Sequence, residues 1–160
     1  DKGIELDFPN QASDPNRGEL VYKMQCVSCH GSNGEGKMRS DGVCFEYPPL
    51  WGENSYQPGS SMHRVIKSAQ FIKANMPKDA SWDKPRLTTQ EALDVAAFIN
   101  DDRIHKRPKS KGNDYPNAAT KPIDYGFGPY IDPFTEKQHK FGPFQEIVEY
   151  KKTNNQKVVF

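Results

Sequence analysis

The residues with the clearest chemistry are Cys26-Val27-Ser28-Cys29-His30. This is C-x-x-C-H, the attachment pattern of c-type haem. The spacing suits the reaction. Two thiols add across the two vinyl groups on one edge of a porphyrin, and the next residue, His30, is set under the iron as proximal ligand. A thioredoxin-like redox pair would follow a strand in a βαβ unit, whereas the segment before Cys26 reads as helix. A zinc site needs four ligands; Cys44 and His63 complete one on paper, but no second tight pair exists. One haem c, attached through Cys26 and Cys29, is the expected cofactor, with His30 as a metal ligand.

The other face of the iron needs a ligand or stays open. Met24, Met38, Met62, Met76, His63, His105, His139 and Cys44 are the candidates. Met24 lies too close to the attachment site to swing across the ring. Met62 falls on an apolar helical face, where core packing is its expected work, and is the first reserve. Met76 sits in Asn75-Met76-Pro77 after a helix, and we expect it to be the second ligand. The three histidines are isolated, so core or surface positions are their default. Cys44 is read first as a plain buried cysteine, then as an intermolecular disulfide partner, then as a reactive group near the haem.

Two further residues are cofactor-binding candidates. A proximal histidine donates its other N–H to an acceptor that fixes the ring, and a carbonyl of Pro48 or Pro49 is in place to accept; Pro49 is taken into the predicted site. Trp51 could pack on the haem or donate its indole N–H to a propionate, or instead be a core tryptophan in a rigid turn.

Helices must position these groups. Asp14-Pro15 is a helix start, with Asp as N-cap and Pro at N1; the helix should run from about Pro15 to Val27 with Leu20, Val21 and Met24 as its apolar stripe and Tyr22 beside it. Residues 31–60, rich in Gly, Ser, Asn and Pro, read as loop. Ser60 or Ser61 can cap a second helix carrying Met62, Val65, Ile66, Ala69 and Ile72, ending near Asn75 because Pro77 disfavours helical geometry at Met76. Thr88 and Glu91 form a capping box for a third helix to about Asn100. The fold class is all-α: three main helices around one haem, with long loops.

The character changes after Asp101. Arg103, Lys106, Arg107, Lys109, Lys111 and Lys121 read as a solvated linker in preference to a basic docking patch. Residues 123–150 hold Phe-Gly-Pro twice and many aromatics, which disordered tails lack. The expected division is a leader at 1–13, a monohaem domain at 14–106 and an extended arm at 107–160 packed on it, with 151–156 loose.

Leu, Ile, Val and Phe together supply 30 of 160 residues, close to the roughly 20% level of disordered chains. The 22 basic and 21 acidic residues leave a net charge of only +1, which does not fit disorder. A buried apolar prosthetic group would supply the missing core. The charge balance argues against nucleic acid, and no run of residues is long and apolar enough to span a membrane.

Gly18-x-x-x-Tyr22-x-x-x-Cys26-x-x-Cys29-His30-Gly31 with Asn75-Met76-Pro77 resembles a class I cytochrome c. A narrower resemblance covers residues 18 to about 147. It rests on Tyr47-Pro48-Pro49-Leu50-Trp51-Gly52, Ser55-Tyr56, Gly59-x-x-Met62, Phe71 to Pro77, Asp94 to Ile99, and the arm from Tyr125 to Phe144. These are similar to the haem-carrying C-terminal domain of dihaem thiosulfate dehydrogenases and its single-haem relatives. The resemblance implies tetrathionate-forming oxidation at another haem and outward relay of electrons through this one. This chain has one C-x-x-C-H, so the resemblance carries over the fold, the haem and the relay role, not the thiosulfate chemistry. The expectation is a monomeric, periplasmic single-electron carrier, not an enzyme, serving redox partner proteins. Asp1 reads as the start of a mature exported chain. The alternatives are an enzyme or subunit acting on a sulfur oxyanion or peroxide, which would need an open or displaceable iron position or Cys44 at the haem, and a gas or redox sensor, which would need an open site.

Overall fold

The computed structural model describes residues 4–109 and 114–160. Lys111, one of the residues of the expected basic linker, lies outside them, as does the start of the leader.

Six helices appear in chain order among the described residues: α1 (Pro15–Gln25), α2 (Val27–His30), α3 (Val65–Asn75), α4 (Thr89–Ile99), α5 (Glu136–Phe141) and α6 (Phe144–Thr153). Strand is limited to a short antiparallel pair, β1 (Lys37–Met38) and β2 (Phe45–Tyr47), with Lys37 opposite Tyr47. It lies inside the segment read as loop, and two- and three-residue strands carry no alternation for sequence to show.

Local caps set the helix ends. Asp14 accepts a hydrogen bond from the Asn16 backbone N–H at 2.8 Å, with Pro15 at the first helical position. In α4, Thr88 Oγ1 accepts from the Glu91 N–H at 3.2 Å while Glu91 accepts from the Thr88 N–H at 2.8 Å. α1 stops at Gln25, two residues before the expected end, and Cys26 forms a break before α2.

The buried face of α1 differs from the expected stripe. Gly18, Val21 and Tyr22 are buried, whereas Leu20 and Met24 are 62% and 73% exposed. Gly18 decides this. A Cβ there would lie 1.9 Å from the Asp94 carbonyl oxygen, so the bare glycine lets α1 cross close against α4. At about 100° per residue, the positions that follow on this face are 21, 22 and 25, not 20 and 24. Asp94, itself buried, locks the crossing: it accepts from the Asp14 N–H at 2.8 Å and from Arg17 at 2.7 Å.

The arm is not merely extended, as it carries α5 and α6. Ile123, Phe141, Phe144, Ile147 and Val148 join the same apolar core as α3 and α4. Asp124 closes the start of α3, accepting from the Ile66 N–H at 3.0 Å and from Arg64 at 3.1 Å. The leader also contributes Leu6 to this core. The stretch expected to be loose is helical as far as Thr153, and Lys151 is buried against Asp132 at 3.2 Å. Arg103 pairs with Asp101 at 2.6 Å. Buried Lys121 donates to the Phe127 and Pro129 carbonyls at 3.0 and 2.8 Å. Lys121 and, below, Arg107 depart from the solvated-linker reading, whereas Arg103, Lys106 and Lys109 are exposed as it expects.

Candidate functional site

α2, β2, the 48–50 loop, α3 and the turn after it surround a cavity of about 760 Å³. Ligand sites of this kind span about 300–1,000 Å³. Cys26, Cys29 and His30 line one side of the cavity, and Met76, Pro77 and Lys78 also line it. Leu50, Phe71, Ile72, Val95 and Ile99 supply apolar walls. All three residues of the C-x-x-C-H motif are therefore brought to one volume, with Pro49 and Met76.

His30 is oriented by the loop. Its Nδ1 lies 2.9 Å from the Pro48 carbonyl oxygen. A carbonyl can only accept, so Nδ1 carries the proton and the Nε2 lone pair is left for a metal. The acceptor is Pro48, not Pro49. The Pro49 carbonyl instead accepts from Ser55 Oγ at 3.1 Å, although Pro49 still lines the cavity. The loop returns on itself to present Pro48: Gly36 N–H donates to the His30 carbonyl at 2.9 Å and Leu50 N–H to that of Gly34 at 2.8 Å. A Cβ on Gly34, whose φ is +60°, would lie 2.4 Å from the Trp51 ring.

Trp51 is not among the cavity-lining residues. Its ring stacks on His105 at 3.8 Å and packs against Tyr22 at 5.2 Å and Phe98 at 5.8 Å. These contacts set it against Tyr22 of α1 and Phe98 of α4.

The Cys26 thiol is not tuned as a redox nucleophile. Burial, and then neighbouring Cys29, push the Cys26 thiol up to about 11, whereas a dithiol nucleophile needs a lowered value. No group of three or more His, Cys, Asp or Glu among the described residues is placed to hold a metal ion. Cys44 is exposed, contrary to the buried position ranked first for it.

His30 is the one histidine lining the cavity among the described residues, and Met62 and Met76 are its methionines. His63 is engaged by Asp102 at 2.8 Å and Lys140 at 3.1 Å, and His139 by Asp132 at 2.9 Å and the Ile123 carbonyl at 2.7 Å. Met62 lies in a 3-10 turn, Ser61–His63, not on the face of α3, and this brings it to the cavity. The residues present fit a haem: two thiols and one oriented imidazole on one side, thioethers available elsewhere, and apolar walls between.

The family model described as cytochrome C oxidase, cbb3-type, subunit III matches residues 13–99. The chain belongs to this family of c-type cytochromes. The cytochrome therefore carries covalent haem c through Cys26 and Cys29, and its chemistry is haem electron transfer. Curated relatives are named thiosulfate dehydrogenase. That of Thiomonas intermedia (strain K12) is 40% identical over 108 residues, covering 68% of this chain and 33% of its own. That of Stutzerimonas stutzeri (strain A1501) is 37% identical over 105 residues, covering 66% and 32%. Among solved structures, the thiosulfate dehydrogenase TsdBA from Marichromatium purpuratum is similar at a TM-score of 0.62 and 36% identity, over 89% of this chain and 29% of that one. The cytochrome thus spans about a third of the length of the curated relatives it matches. These relatives carry an enzyme's name, which overturns the expectation that the chain is not an enzyme, although the match covers only the cytochrome domain. No helix among the described residues is long and apolar enough to cross a membrane.

Sequence reasoning missed Tyr56 and Arg107 as parts of the site. Tyr56 lines the cavity, and Arg107 Nη2 donates to its hydroxyl at 3.2 Å. The two lie 51 positions apart, and no local motif or periodicity connects such residues.

Proposed function

We propose that this cytochrome is the electron-relay haem module of a thiosulfate dehydrogenase-type enzyme, working outside the cytoplasm with His30 and Met76 as the iron ligands. The observation that carries the reading is the joint lining of one cavity by both thiols, by His30 oriented on the Pro48 carbonyl, and by Met76. Its similarity to proteins named thiosulfate dehydrogenase supports the substrate class whose electrons it relays.

When bound, the haem supplies one-electron Fe(III)/Fe(II) chemistry, which a thioether ligand biases toward Fe(II). The protein holds that chemistry in place. Cys26 and Cys29 fix one edge. The Pro48 carbonyl holds the His30 tautomer and makes the ring a better donor. Phe71, Ile72, Val95 and Ile99 line the cavity and would keep water away from the bound group. Pro77 stiffens the turn that presents Met76. Three main helices, α1, α3 and α4, form the haem domain in this reading, and the arm from 107 onward closes over it.

The test mixes the oxidised holoprotein with thiosulfate and a full-length thiosulfate dehydrogenase relative. The reading expects the haem of this chain to be reduced in proportion to thiosulfate consumed, and more slowly in Met76→Ala. A haem that stays oxidised while thiosulfate is turned over would contradict it.

A further inference from the structure

Arg107 lies beyond the stretch matched by the family model, yet it packs behind the wall of the haem cavity. Its Nη2 donates to the Ile99 carbonyl at 2.7 Å, to Asn100 Oδ1 at 3.0 Å and to the Tyr56 hydroxyl at 3.2 Å. Its Nη1 reaches Ser55 Oγ at 3.3 Å and the Tyr56 carbonyl at 3.5 Å. The guanidinium carbon sits 4.1 Å from the centre of the Tyr56 ring. Tyr56 and Ile99 line the cavity, as does Met62, whose carbonyl accepts from Asn100 Nδ2 at 3.0 Å. The cation thus stands directly behind Tyr56 and Ile99, and is linked to Met62 through Asn100.

Its partners distinguish it from the buried Arg64 and the half-buried Arg17, each of which pairs with an aspartate. Among the described residues, the hydrogen bonds of Arg107 go to carbonyl, hydroxyl and amide oxygens, and none goes to a carboxylate. The nearby Asp102 and Lys140 offset one another at 3.1 Å. The positive charge is therefore not cancelled locally. Arginine stays protonated throughout the working range, and a charge behind an apolar wall is poorly screened by salt.

We propose that Arg107 is a positioning residue that raises the reduction potential of the haem through its uncancelled cation behind Tyr56. The inference rests on the haem electron-transfer reading above and adds a determinant of it. Reduction adds one negative charge to the cavity, so a fixed cation favours the reduced state. The same fork of hydrogen bonds holds the loop at 55–56 to the end of α4, so the residue sets the wall and the field together.

Optical redox titration of the holoprotein, with thermal melting alongside, tests the proposal. Poised at the wild-type midpoint, Arg107→Gln should show a reduced-to-oxidised ratio about tenfold lower, equivalent to about 59 mV for a one-electron couple. Arg107→Lys keeps the charge and loses the fork; it should melt at a lower temperature while its ratio stays within about twofold of wild type. Asn100→Asp sets a carboxylate against the guanidinium and should lower the ratio even if Arg107→Gln does not fold. Unchanged ratios in the Gln and Asp variants, or equal falls in the Gln and Lys variants, would overturn the charge assignment while the parent reading stands. A wild-type holoprotein that shows no reversible one-electron titration would sink both.

Discussion

Gly18 sets how closely α1 approaches α4, and its substitution reads out that packing. With a Cβ at 1.9 Å from the Asp94 carbonyl oxygen, Gly18→Ala must push the helices apart. We expect a loss of about 2–3 kcal/mol in denaturant unfolding; a cost under about 0.5 kcal/mol would mean that the crossing is not tight. His105 gives a pH signature. Burial first, and then the charge of Arg107, push its imidazole down to about 4, from about 6.5 in the unfolded chain. The unfolded chain therefore takes up this proton first as the solution is acidified. The contribution to stability is fully present above about pH 6.5 and is lost as pH falls toward about 4. His105→Phe keeps a ring against Trp51 and should flatten part of the fall in melting temperature across that window; a slope identical to wild type would remove His105 as its source.

At the scale of elements, Asp94 ties the start of α1 to α4. Asp94→Ala strands the Asp14 N–H and the Arg17 guanidinium, and should cost about 2–3 kcal/mol in denaturant unfolding. Lys23→Ala, removing an exposed pair with Glu19 at 2.7 Å, should cost under about 0.5 kcal/mol. Equal costs would mean that the buried carboxylate does not organise the crossing. The ends of α3 and α4 were legible because their signals are local: Pro77 after Asn75, and the Thr88–Glu91 box. α5 also has a local signal, Thr135 Oγ1 accepting from the Gln138 N–H at 3.1 Å, but α6 has none. α6 follows Pro143 with no side-chain cap, and these short helices are held by burial of Lys140 against Asp102, 38 positions away, and of His139 and Lys151 against Asp132. The cavity was legible where its residues share a motif, as in Cys26, Cys29 and His30. It was not legible where a side chain arrives from a distant segment, as Arg107 does, or where two adjacent prolines compete for one role, as Pro48 and Pro49 do.

At the scale of the molecule, the shortage of Leu, Ile, Val and Phe reads as a core that the chain does not complete by itself. Among the described residues, twenty apolar side chains form one buried cluster, and the apolar cavity beside it holds about 760 Å³. Haem is a large apolar body that fills such a volume, and burying it stabilises the helices around it. Cys26→Ala/Cys29→Ala expressed without haem should therefore lose most helix content by circular dichroism and should not melt cooperatively; native helicity with a cooperative transition would show that the protein core suffices. The central claim, that the relay haem is held between His30 and Met76, is tested most directly by the absorption spectrum of the wild-type protein in both oxidation states beside that of Met76→Ala. The account predicts low-spin haem in both states of the wild type, with the weak long-wavelength band of thioether-ligated ferric haem, and loss of that band in Met76→Ala. A high-spin ferric wild type, or a band that survives the substitution, would contradict it.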